Sequence, residues 1–324
     1  MRKAKGGAGT STLVGRGLRK SYGAFEAVKG VDFEVFPGEC FGFLGPNGAG
    51  KTSTMKMIYA AAVPTGGELS VVGLDVTRHE REVKRRIGVV PQENNLDEGL
   101  KVRENLLVYG RYFGLPRATV RQRAAELLDF VQLTDRAGDR VEPLSGGMKR
   151  RLTIARALVN EPDVVLLDEP TTGLDPQARH VLWERLYRLR QRGVTLVLTT
   201  HYMDEAEQLC DRLVVMDRGR IAAEGSPAAL IAAWSTREVC ELRFPLTEGG
   251  PGPAAHADAL APLVARGLAE RVEALPDRLL LYTADGDAAL SAVLAQGLQP
   301  VSSLVRRSSL EDVFLRLTGR TLVD

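Results

Sequence analysis

From Leu13 onwards, short apolar runs rich in β-branched residues alternate with longer stretches in which apolar residues recur at every third or fourth position. The first pattern predicts strands and the second predicts amphipathic helices. Three runs are apolar on consecutive positions, which indicates burial on both faces, as in a parallel sheet. These runs are Cys40–Leu44, Val164–Leu167 and Thr195–Thr199. Strands separated by helices in this way predict an α/β core built in layers.

The remaining predicted elements extend this core to Trp234. The strands are Val28–Val35, Glu68–Val72, Ile87–Val90 and Arg212–Met216, and the clearest helices are Val120–Phe130, Met148–Val159 and Pro176–Arg192. A helix from Pro227 ends the region, so we predict one domain over residues 12–236. Residues 1–11 are mostly small, polar or basic, and we predict that they form a disordered tail.

The pattern changes after residue 236. The predicted order is strand, helix, two strands, helix, strand and helix, namely Glu238–Phe244, Ala254–Arg266, Arg271–Ala274, Leu279–Thr283, Asp287–Gln296, Val301–Val305 and Leu310–Leu317. A turn-rich stretch, Thr247–Pro253, follows the first strand. We predict a small α+β accessory domain over residues 237–324, of the ferredoxin-like βαββαβ kind.

Length and charge add limits to this picture. The chain has 324 residues, which suits two domains, and 43 Lys and Arg against 41 Asp and Glu give a net charge of +2. A near-neutral balance gives no support to a nucleic-acid partner. No apolar run approaches the roughly 18–20 residues of a membrane span, and the basic N-terminus lacks the apolar core of a signal peptide. We therefore expect any membrane role to depend on another chain.

A glycine-rich octapeptide, Gly45-Pro-Asn-Gly-Ala-Gly-Lys-Thr52, carries the strongest chemical signal. It matches G-x-x-x-x-G-K-[ST] between a predicted buried strand and a predicted helix, the context that a phosphate-binding loop requires. Its glycines let main-chain amides converge on a phosphate, and the helix N-terminus adds partial positive charge. We expect Lys51 to reach the β- and γ-phosphates of a nucleotide and the Thr52 hydroxyl to bind Mg²⁺.

Two acidic residues, Asp168 and Glu169, follow the predicted strand Val164–Leu167. At the carboxyl end of a central strand, Asp168 can hold Mg²⁺ through water, and Glu169 can act as general base on an attacking water. Such a pair could by itself cap a helix. Together with the phosphate-binding loop, it predicts nucleotide hydrolysis.

A second anion-binding pattern, Leu144-Ser-Gly-Gly-Met148, precedes another predicted helix. Ser145, Gly146 and Gly147 offer hydroxyl and amide donors at a helix N-terminus. One nucleotide has a single γ-phosphate, so a second phosphate receptor needs an explanation. Head-to-tail dimerisation supplies one, because the loop of one copy would then cover the ATP held by the other.

In this order and spacing, the motifs resemble the ATP-binding cassette of ABC transporters. The resemblance covers about Leu13 to Trp234 and rests on Gly45–Thr52, Gln92, Leu144–Met148, Asp168–Glu169, Gly173–Asp175 and His201. It implies a P-loop fold with a parallel core sheet and helices, an antiparallel β subdomain and a helical subdomain. It also implies ATP and Mg²⁺ as cofactors.

The resemblance implies roles for residues that the motifs above do not explain. Tyr22 matches the aromatic residue that stacks on adenine, with an ordinary strand tyrosine as the alternative. Gln92 matches the glutamine that contacts Mg²⁺ and the attacking water and links the site to a membrane partner. Asp175 matches the loop that crosses the dimer interface, and His201 matches the histidine that touches the γ-phosphate.

Three sets of site residues are therefore expected. The catalytic set is Glu169, His201 and Gln92, and the metal set is Thr52, Gln92 and Asp168. The nucleotide-binding set is Tyr22, Gly45, Pro46, Asn47, Gly48, Ala49, Gly50, Lys51, Thr52, Ser53, Ser145, Gly146, Gly147 and Asp175.

A departure from the usual signature motif narrows the group of ABC ATPases that this sequence resembles. The fifth signature residue, usually Gln, is Met148 here, but Ser145–Gly147 still supply the phosphate donors, so hydrolysis should survive. The segments Pro91–Leu96, Glu104–Gly114, Leu144–Thr153 and Glu311–Arg320 resemble nodulation-factor export ATPases. Their broader group is the drug-resistance ATPases related to daunorubicin exporters.

This narrower resemblance implies the ATP-hydrolysing subunit of an ABC-2 type exporter. It would work as a head-to-tail dimer at the cytoplasmic face of the bacterial inner membrane and power a separate integral membrane permease. We expect the permease to dock on the segment from Gln92 to Leu115. The implied substrate is a lipo-oligosaccharide, a polysaccharide or a drug.

Two other functions compete with transport. A non-transport ABC ATPase acting on ribosomes or DNA would carry two cassettes or a long coiled coil, and the interval from Lys51 to Leu144 is too short for such an insertion. A soluble P-loop kinase would not need Ser145–Gly147 or His201. Both functions are therefore less favoured than transport.

Overall fold

The computed structural model describes residues 11–245 and 253–319. The predicted tail over residues 1–11 lies outside the described residues except for Ser11, and the turn-rich stretch Thr247–Pro253 lies outside them except for Pro253. By its contacts, the chain divides into two compact units, one that ends at Ser226 and one that begins at Pro227.

The first unit alternates strands and helices along the sequence. Its elements are β1 (Leu13–Tyr22), β2 (Phe25–Val35), β3 (Cys40–Leu44), α1 (Lys51–Ile58), β4 (Gly66–Val71), β5 (Leu74–Asp75), α2 (Glu80–Arg86), β6 (Ile87–Val90), α3 (Val102–Tyr112), α4 (Arg117–Phe130), α5 (Gly146–Ala157), β7 (Val164–Asp168), α6 (Pro176–Gln191), β8 (Thr195–Thr200), α7 (Met203–Leu209), β9 (Arg212–Asp217) and β10 (Arg220–Gly225).

A six-stranded sheet in the order β10-β9-β3-β8-β7-β6 forms the centre of this unit. Neighbouring strands from β9 to β6 are parallel, and β10 pairs antiparallel with β9. β3, β7 and β8 are buried at every position, as their continuous apolar runs predict. The parallel register sets Leu44 beside Thr200 and Asp168 beside Thr199, so the loops that follow these strands leave one edge of the sheet.

Two smaller layers complete the first unit. An antiparallel sheet in the order β2-β1-β4-β5 shares a core with α1 and the central sheet, where the rings of Phe33 and Phe43 meet edge to face at 5.2 Å. Helices α3, α4 and α5 pack on one another. The expected parallel core, antiparallel subdomain and helical subdomain are therefore all present.

The hydrophobic pattern does not predict the short helices α2 and α7. In α2, Val83 is the one buried residue, and all six other residues are charged. In α7, the buried positions include Glu205, a carboxylate that a pattern of apolar residues cannot mark as interior. Both helices are too short and too polar to show an apolar period.

The second unit contains a second sheet. Its elements are α8 (Pro227–Trp234), β11 (Glu238–Arg243), α9 (Pro253–Ala265), β12 (Arg271–Ala274), β13 (Leu279–Thr283), α10 (Gly286–Ala295), β14 (Ser302–Arg307) and α11 (Leu310–Thr318). The strands pair antiparallel in the order β12-β13-β11-β14. One face packs against α9 and α10 through residues such as Leu260 and Val293, and the other packs against α11 through Leu315.

Helix α8 belongs by its contacts to the second unit, whereas the predicted boundary after residue 236 places it in the first domain. Arg316 of α11 donates to the Trp234 carbonyl at 3.2 Å, and the hydroxyls of Ser235 and Ser308 are 3.0 Å apart. The sequence could not indicate this boundary, because α8 and its partner α11 lie at opposite ends of this part of the chain.

A buried carboxylate explains the tail motif Glu311–Arg320. Asp312 is fully buried and caps α11 by accepting from the Ser309 amide at 2.8 Å. It also accepts from Arg306 at 2.7 and 3.0 Å and from the Tyr282 hydroxyl at 3.2 Å. Burial, with Asp312 as a neighbour, raises the pKa of Tyr282. The motif therefore joins α11 to the sheet of the second unit.

Candidate functional site

The phosphate-binding loop connects β3 to α1 and requires glycine at two positions. A Cβ atom on Gly45 would lie 2.3 Å from the Met216 carbonyl oxygen, and one on Gly50 would lie 2.6 Å from the Ala27 carbonyl oxygen. Gly50 also has a φ of 101°, in the left-handed region that other residues avoid. The loop therefore packs too closely on neighbouring backbone to admit side chains at these positions.

Lys51 begins α1, and its ammonium group turns into the loop. Nζ donates to the carbonyl oxygens of Gly45 at 2.7 Å and Pro46 at 3.1 Å, and the side chain is only 5% exposed. Nζ also lies 3.6 Å from Glu169 Oε1. Burial lowers the pKa of Lys51, and the carboxylate of Glu169 opposes that shift.

Asp168 ends β7, and its carboxylate faces two hydroxyl groups. Oδ1 accepts from Thr199 Oγ1 at 2.5 Å and from Thr52 Oγ1 at 3.4 Å. Burial raises the pKa of Asp168, and the hydrogen bond from Thr199 opposes that change. A carboxylate and a hydroxyl side by side are hard oxygen donors of the kind that Mg²⁺ prefers.

Thr52 and Asp168 offer two oxygen donors, the number of protein ligands that Mg²⁺ commonly has in nucleotide sites. Among residues 11–245 and 253–319, no group of three or more His, Cys, Asp or Glu side chains could hold a metal ion. Mg²⁺ in nucleotide sites typically uses one or two protein ligands and takes its remaining ligands from phosphates and water. Thr52 and Asp168 fit that donor set.

Glu169 follows Asp168 with a φ of 46°, in the left-handed region that is uncommon for residues other than glycine. Its main-chain amide donates to two acceptors of Thr199, the carbonyl oxygen at 3.2 Å and Oγ1 at 3.0 Å. Its carboxylate accepts from Thr172 Oγ1 at 3.1 Å and from Gln92 Nε2 at 3.5 Å, and His201 Nδ1 lies 3.3 Å from Oε1. The structure thus brings the three expected catalytic residues together.

The two loops that are expected at the dimer interface lead directly into two adjacent helices, α5 and α6. Ser145 Oγ accepts from the Met148 amide at 3.3 Å at the start of α5, and Asp175 Oδ1 accepts from the Ala178 amide at 2.8 Å at the start of α6. A Cβ on Gly147 would lie 3.1 Å from the Ala178 side chain, so the two helix N-termini are in contact. Ser145, Gly146 and Asp175 are exposed.

The remaining expected residues lie around the loop. Asn47 and Gly48 are exposed at its tip, whereas Pro46 and Ala49 are buried. Ser53 is half-buried in the first turn of α1. Tyr22 is 47% exposed at the end of β1, and Lys20 Nζ lies 4.9 Å from the centre of its ring.

Several residues of the site carry no sequence signal. Thr199 joins Asp168 to the Glu169 amide, but it resembles any other threonine of a buried strand. The ring of Tyr202 packs against the His201 ring with 4.1 Å between centroids and an angle of 39° between the planes, and the Arg179 guanidinium lies 4.6 Å from the Tyr202 ring centre. The adjacency of Tyr202 to His201 was the one available clue.

Comparisons with known proteins agree with this geometry. A family model for ABC transporters matches residues 28–172, and one for the C-terminal domain of the nodulation factor export protein NodI matches residues 255–319. Over 95% of this chain and 97% of the relative, the sequence is 52% identical to a Nod factor export ATP-binding protein I of Paraburkholderia xenovorans. The chain belongs to the ABC ATPase family. A protein of the same name from Ralstonia nicotianae is 48% identical to this ABC ATPase over 97% of this chain and 96% of that protein.

Solved structures give the same assignment. An ATP binding subunit of an ABC transporter is 31% identical to this ABC ATPase, with a TM-score of 0.63 over 69% of this chain and 93% of that one. A dimeric ATP-binding cassette in a post-hydrolysis state, bound to ADP and Pi, is 28% identical, with a TM-score of 0.61 over 66% of this chain and 98% of that one. The ABC ATPase is therefore an ATP-hydrolysing enzyme. Among residues 11–245 and 253–319, none of the helices has the length and hydropathy of a membrane span.

Proposed function

We propose that this ABC ATPase binds ATP with Mg²⁺ at the loop 45–52 and drives an exporter whose membrane-spanning part is a separate chain. The position of Glu169 carries the proposal. Lys51 and His201 lie 3.6 and 3.3 Å from Oε1, and Gln92 lies 3.5 Å from Oε2. A cation, an imidazole and an amide around one buried carboxylate can align a phosphate and a water for reaction.

The proposed roles follow from charge and position. Thr52, Asp168 and Gln92 would hold Mg²⁺, which when bound neutralises phosphate charge. Lys51 adds its own charge to the phosphates, and Glu169 orients the attacking water and takes its proton. His201 contacts the γ-phosphate, and Tyr22 stacks on adenine.

We propose that two copies share each ATP. Ser145, Gly146 and Asp175 are exposed, and no hydrogen bond or ion pair among the described residues joins them to Lys51, Asp168 or Glu169. A helix N-terminus with free amides is a receptor for phosphate. In a head-to-tail dimer, this loop would close over the γ-phosphate bound by the other copy. The solved post-hydrolysis relative is dimeric, which supports the arrangement.

The exporter assignment comes from the relatives. Proteins named Nod factor export ATP-binding protein I share about half of this sequence over nearly its full length. We propose an ABC-2 type permease as the partner, which would hold the ABC ATPase at the cytoplasmic face of the bacterial inner membrane. The proposed substrate class is a lipo-oligosaccharide, with a polysaccharide or a drug as the alternatives.

We propose that the permease docks on the segment from Gln92 to Leu115, where α3 ends in aromatic residues. Tyr112 is 79% exposed, and the ring of Tyr109 lies 6.2 Å from that of Tyr112 and 5.4 Å from that of Phe113. Exposed aromatic residues of this kind commonly anchor protein interfaces. We expect Tyr112→Glu to abolish co-purification with a co-expressed ABC-2 type permease, because the interface would bury an unpaired charge.

A matched variant separates docking from general surface effects. Tyr187 on α6 is 50% exposed, and Tyr187→Glu should leave co-purification unchanged. Neither variant should alter ATP hydrolysis by the ABC ATPase alone. Full co-purification of Tyr112→Glu would contradict the docking segment without affecting the proposed ATP site.

A further inference from the structure

A buried arginine of α5 connects the two loops that carry the proposed catalytic residues. Arg150 is 4% exposed. Its guanidinium donates to the carbonyl oxygen of Pro170 at 2.8 Å, of Asp168 at 2.9 Å and of Glu169 at 3.1 Å. It also donates to the carbonyl oxygens of Gln92 at 3.3 Å and of Pro91.

These contacts use the whole donor set of the side chain. A guanidinium has five N–H groups in a fixed plane, and Arg150 has five main-chain carbonyl acceptors. Burial lowers the pKa of Arg150 to about 10, so the group stays charged at neutral pH. Hydrogen bonds from a charged donor are stronger than neutral ones, and a lysine cannot reproduce the planar fork.

The same helix also holds the segment that follows Gln92. Thr153 Oγ1 donates to the Asn94 carbonyl at 3.4 Å, Arg156 donates to the Asn94 carbonyl at 3.2 Å, and Lys149 donates to Glu98 Oε1 at 2.8 Å. Arg150 differs from these three side chains because it reaches the 168–170 segment as well.

Glu169 needs such support, since its backbone is strained. A φ of 46° in a residue other than glycine costs on the order of 1 kcal/mol. Arg150 donates to the carbonyl oxygen of Glu169 and to those of its two sequence neighbours, Asp168 and Pro170. Relaxation of the backbone would break these bonds, so Arg150 opposes it.

We propose that Arg150 is a positioning residue for ATP hydrolysis. It fixes the Glu169 carboxylate and Gln92 relative to one another and ties both to α5, the helix whose first turn carries Gly146 and Gly147. Movement of α5 would then shift the proposed general base. The inference rests on the proposed roles of Glu169 and Gln92.

Steady-state ATP hydrolysis by the full chain tests this inference, with Arg150→Lys and Arg150→Gln as variants. Displacement of the base by about 1 Å can cost about 100-fold in rate, so we expect kcat to fall about 100-fold in both. The KM for ATP and the affinity for a fluorescent ATP analogue should stay within about twofold, because the hydrogen bonds of Arg150 to described residues go to segments 91–92 and 168–170 and not to the phosphate-binding loop.

Arg123→Gln is the matched control. Arg123 on α4 also donates to a main-chain carbonyl, that of Val159 at 2.9 Å, and it pairs with Glu161 at 3.0 Å. It should keep the kcat of the unmodified protein. Arg150→Lys retains the charge and most of the volume, so it keeps the test valid if Arg150→Gln fails to fold.

Two results would overturn the inference. One is an unchanged kcat in Arg150→Lys, and the other is a parallel loss of kcat, nucleotide affinity and thermal stability, which would indicate a purely structural role. If Glu169→Gln is inactive while Arg150→Lys is fully active, the inference fails and the proposed function stands. If Glu169→Gln hydrolyses ATP normally, the proposed function fails, and this inference fails with it.

Discussion

Glu169→Gln is expected to bind ATP and to hydrolyse it about 1000-fold more slowly than the unmodified protein, because an amide cannot accept the proton of the attacking water. The substitution preserves the shape of the side chain and its contact with Thr172. It also removes a negative charge 3.6 Å from Lys51 Nζ, which favours the binding of polyanionic ATP. ATP should therefore accumulate unhydrolysed and hold two copies together.

The measurements are phosphate release and gel filtration with ATP and Mg²⁺. Glu184→Gln serves as the control, since Glu184 forms an exposed pair with Arg188 and should behave as the unmodified protein does. Normal hydrolysis by Glu169→Gln would rule out its role as general base. A protein that binds ATP but stays monomeric would contradict the shared site.

Lys51→Ala has the second large effect, the loss of nucleotide binding. The Lys51 ammonium group is the buried cation of the phosphate-binding loop, and charged hydrogen bonds to phosphate are worth about 3 kcal/mol, or about 100-fold in affinity. Its removal also leaves the carboxylates of Asp168 and Glu169 without a nearby ammonium group, and their charges repel the phosphates.

Equilibrium titration with a fluorescent ATP analogue measures this loss. Lys56 lies on the same helix with its side chain exposed, so Lys56→Ala gives a control with the same change of net charge. Equal affinities in Lys51→Ala and Lys56→Ala would mean that the loop 45–52 does not bind the phosphates.

Much of the fold was predictable because it depends on continuous apolar runs. β3, β7 and β8 are buried on both faces, and their sequences alone indicate a central parallel sheet. The place of α8 was not predictable, because its contacts are with α11, and long-range partners leave no local pattern. The burial of Asp312 is also hidden, since a carboxylate is expected at the surface unless its partners are known.

The candidate site was predictable where a motif is local. The sequence of residues 45–52 itself identifies the phosphate-binding loop. The roles of Asp168 and Glu169 are predicted by their position at the end of an apolar strand. Arg150 was not predictable, because its acceptors are main-chain carbonyls, which are the same for every residue type. Thr199 was missed for a similar reason, since its role depends on the register of β7 with β8.

The shared ATP site is the central claim, and mixing two defective variants tests it most directly. Lys51→Ala removes the cation of the phosphate-binding loop, and Gly146→Asp places a negative charge where the loop 144–148 would meet the γ-phosphate of the other copy. A Cβ on Gly146 has no neighbouring atom within 4 Å, so the single chain should tolerate the substitution. Both changes are made in Glu169→Gln, so that dimers persist with ATP.

Each variant alone should elute as a monomer with ATP. Two copies of the Lys51→Ala variant lack a working phosphate-binding loop at both sites, and two copies of the Gly146→Asp variant lack a working signature loop at both sites. A mixture can form one intact site, from the loop of the Gly146→Asp copy and the signature of the Lys51→Ala copy. We predict that gel filtration of the mixture with ATP shows a dimer that carries one nucleotide. A mixture that stays monomeric, or a Gly146→Asp variant that dimerises by itself, would contradict the account.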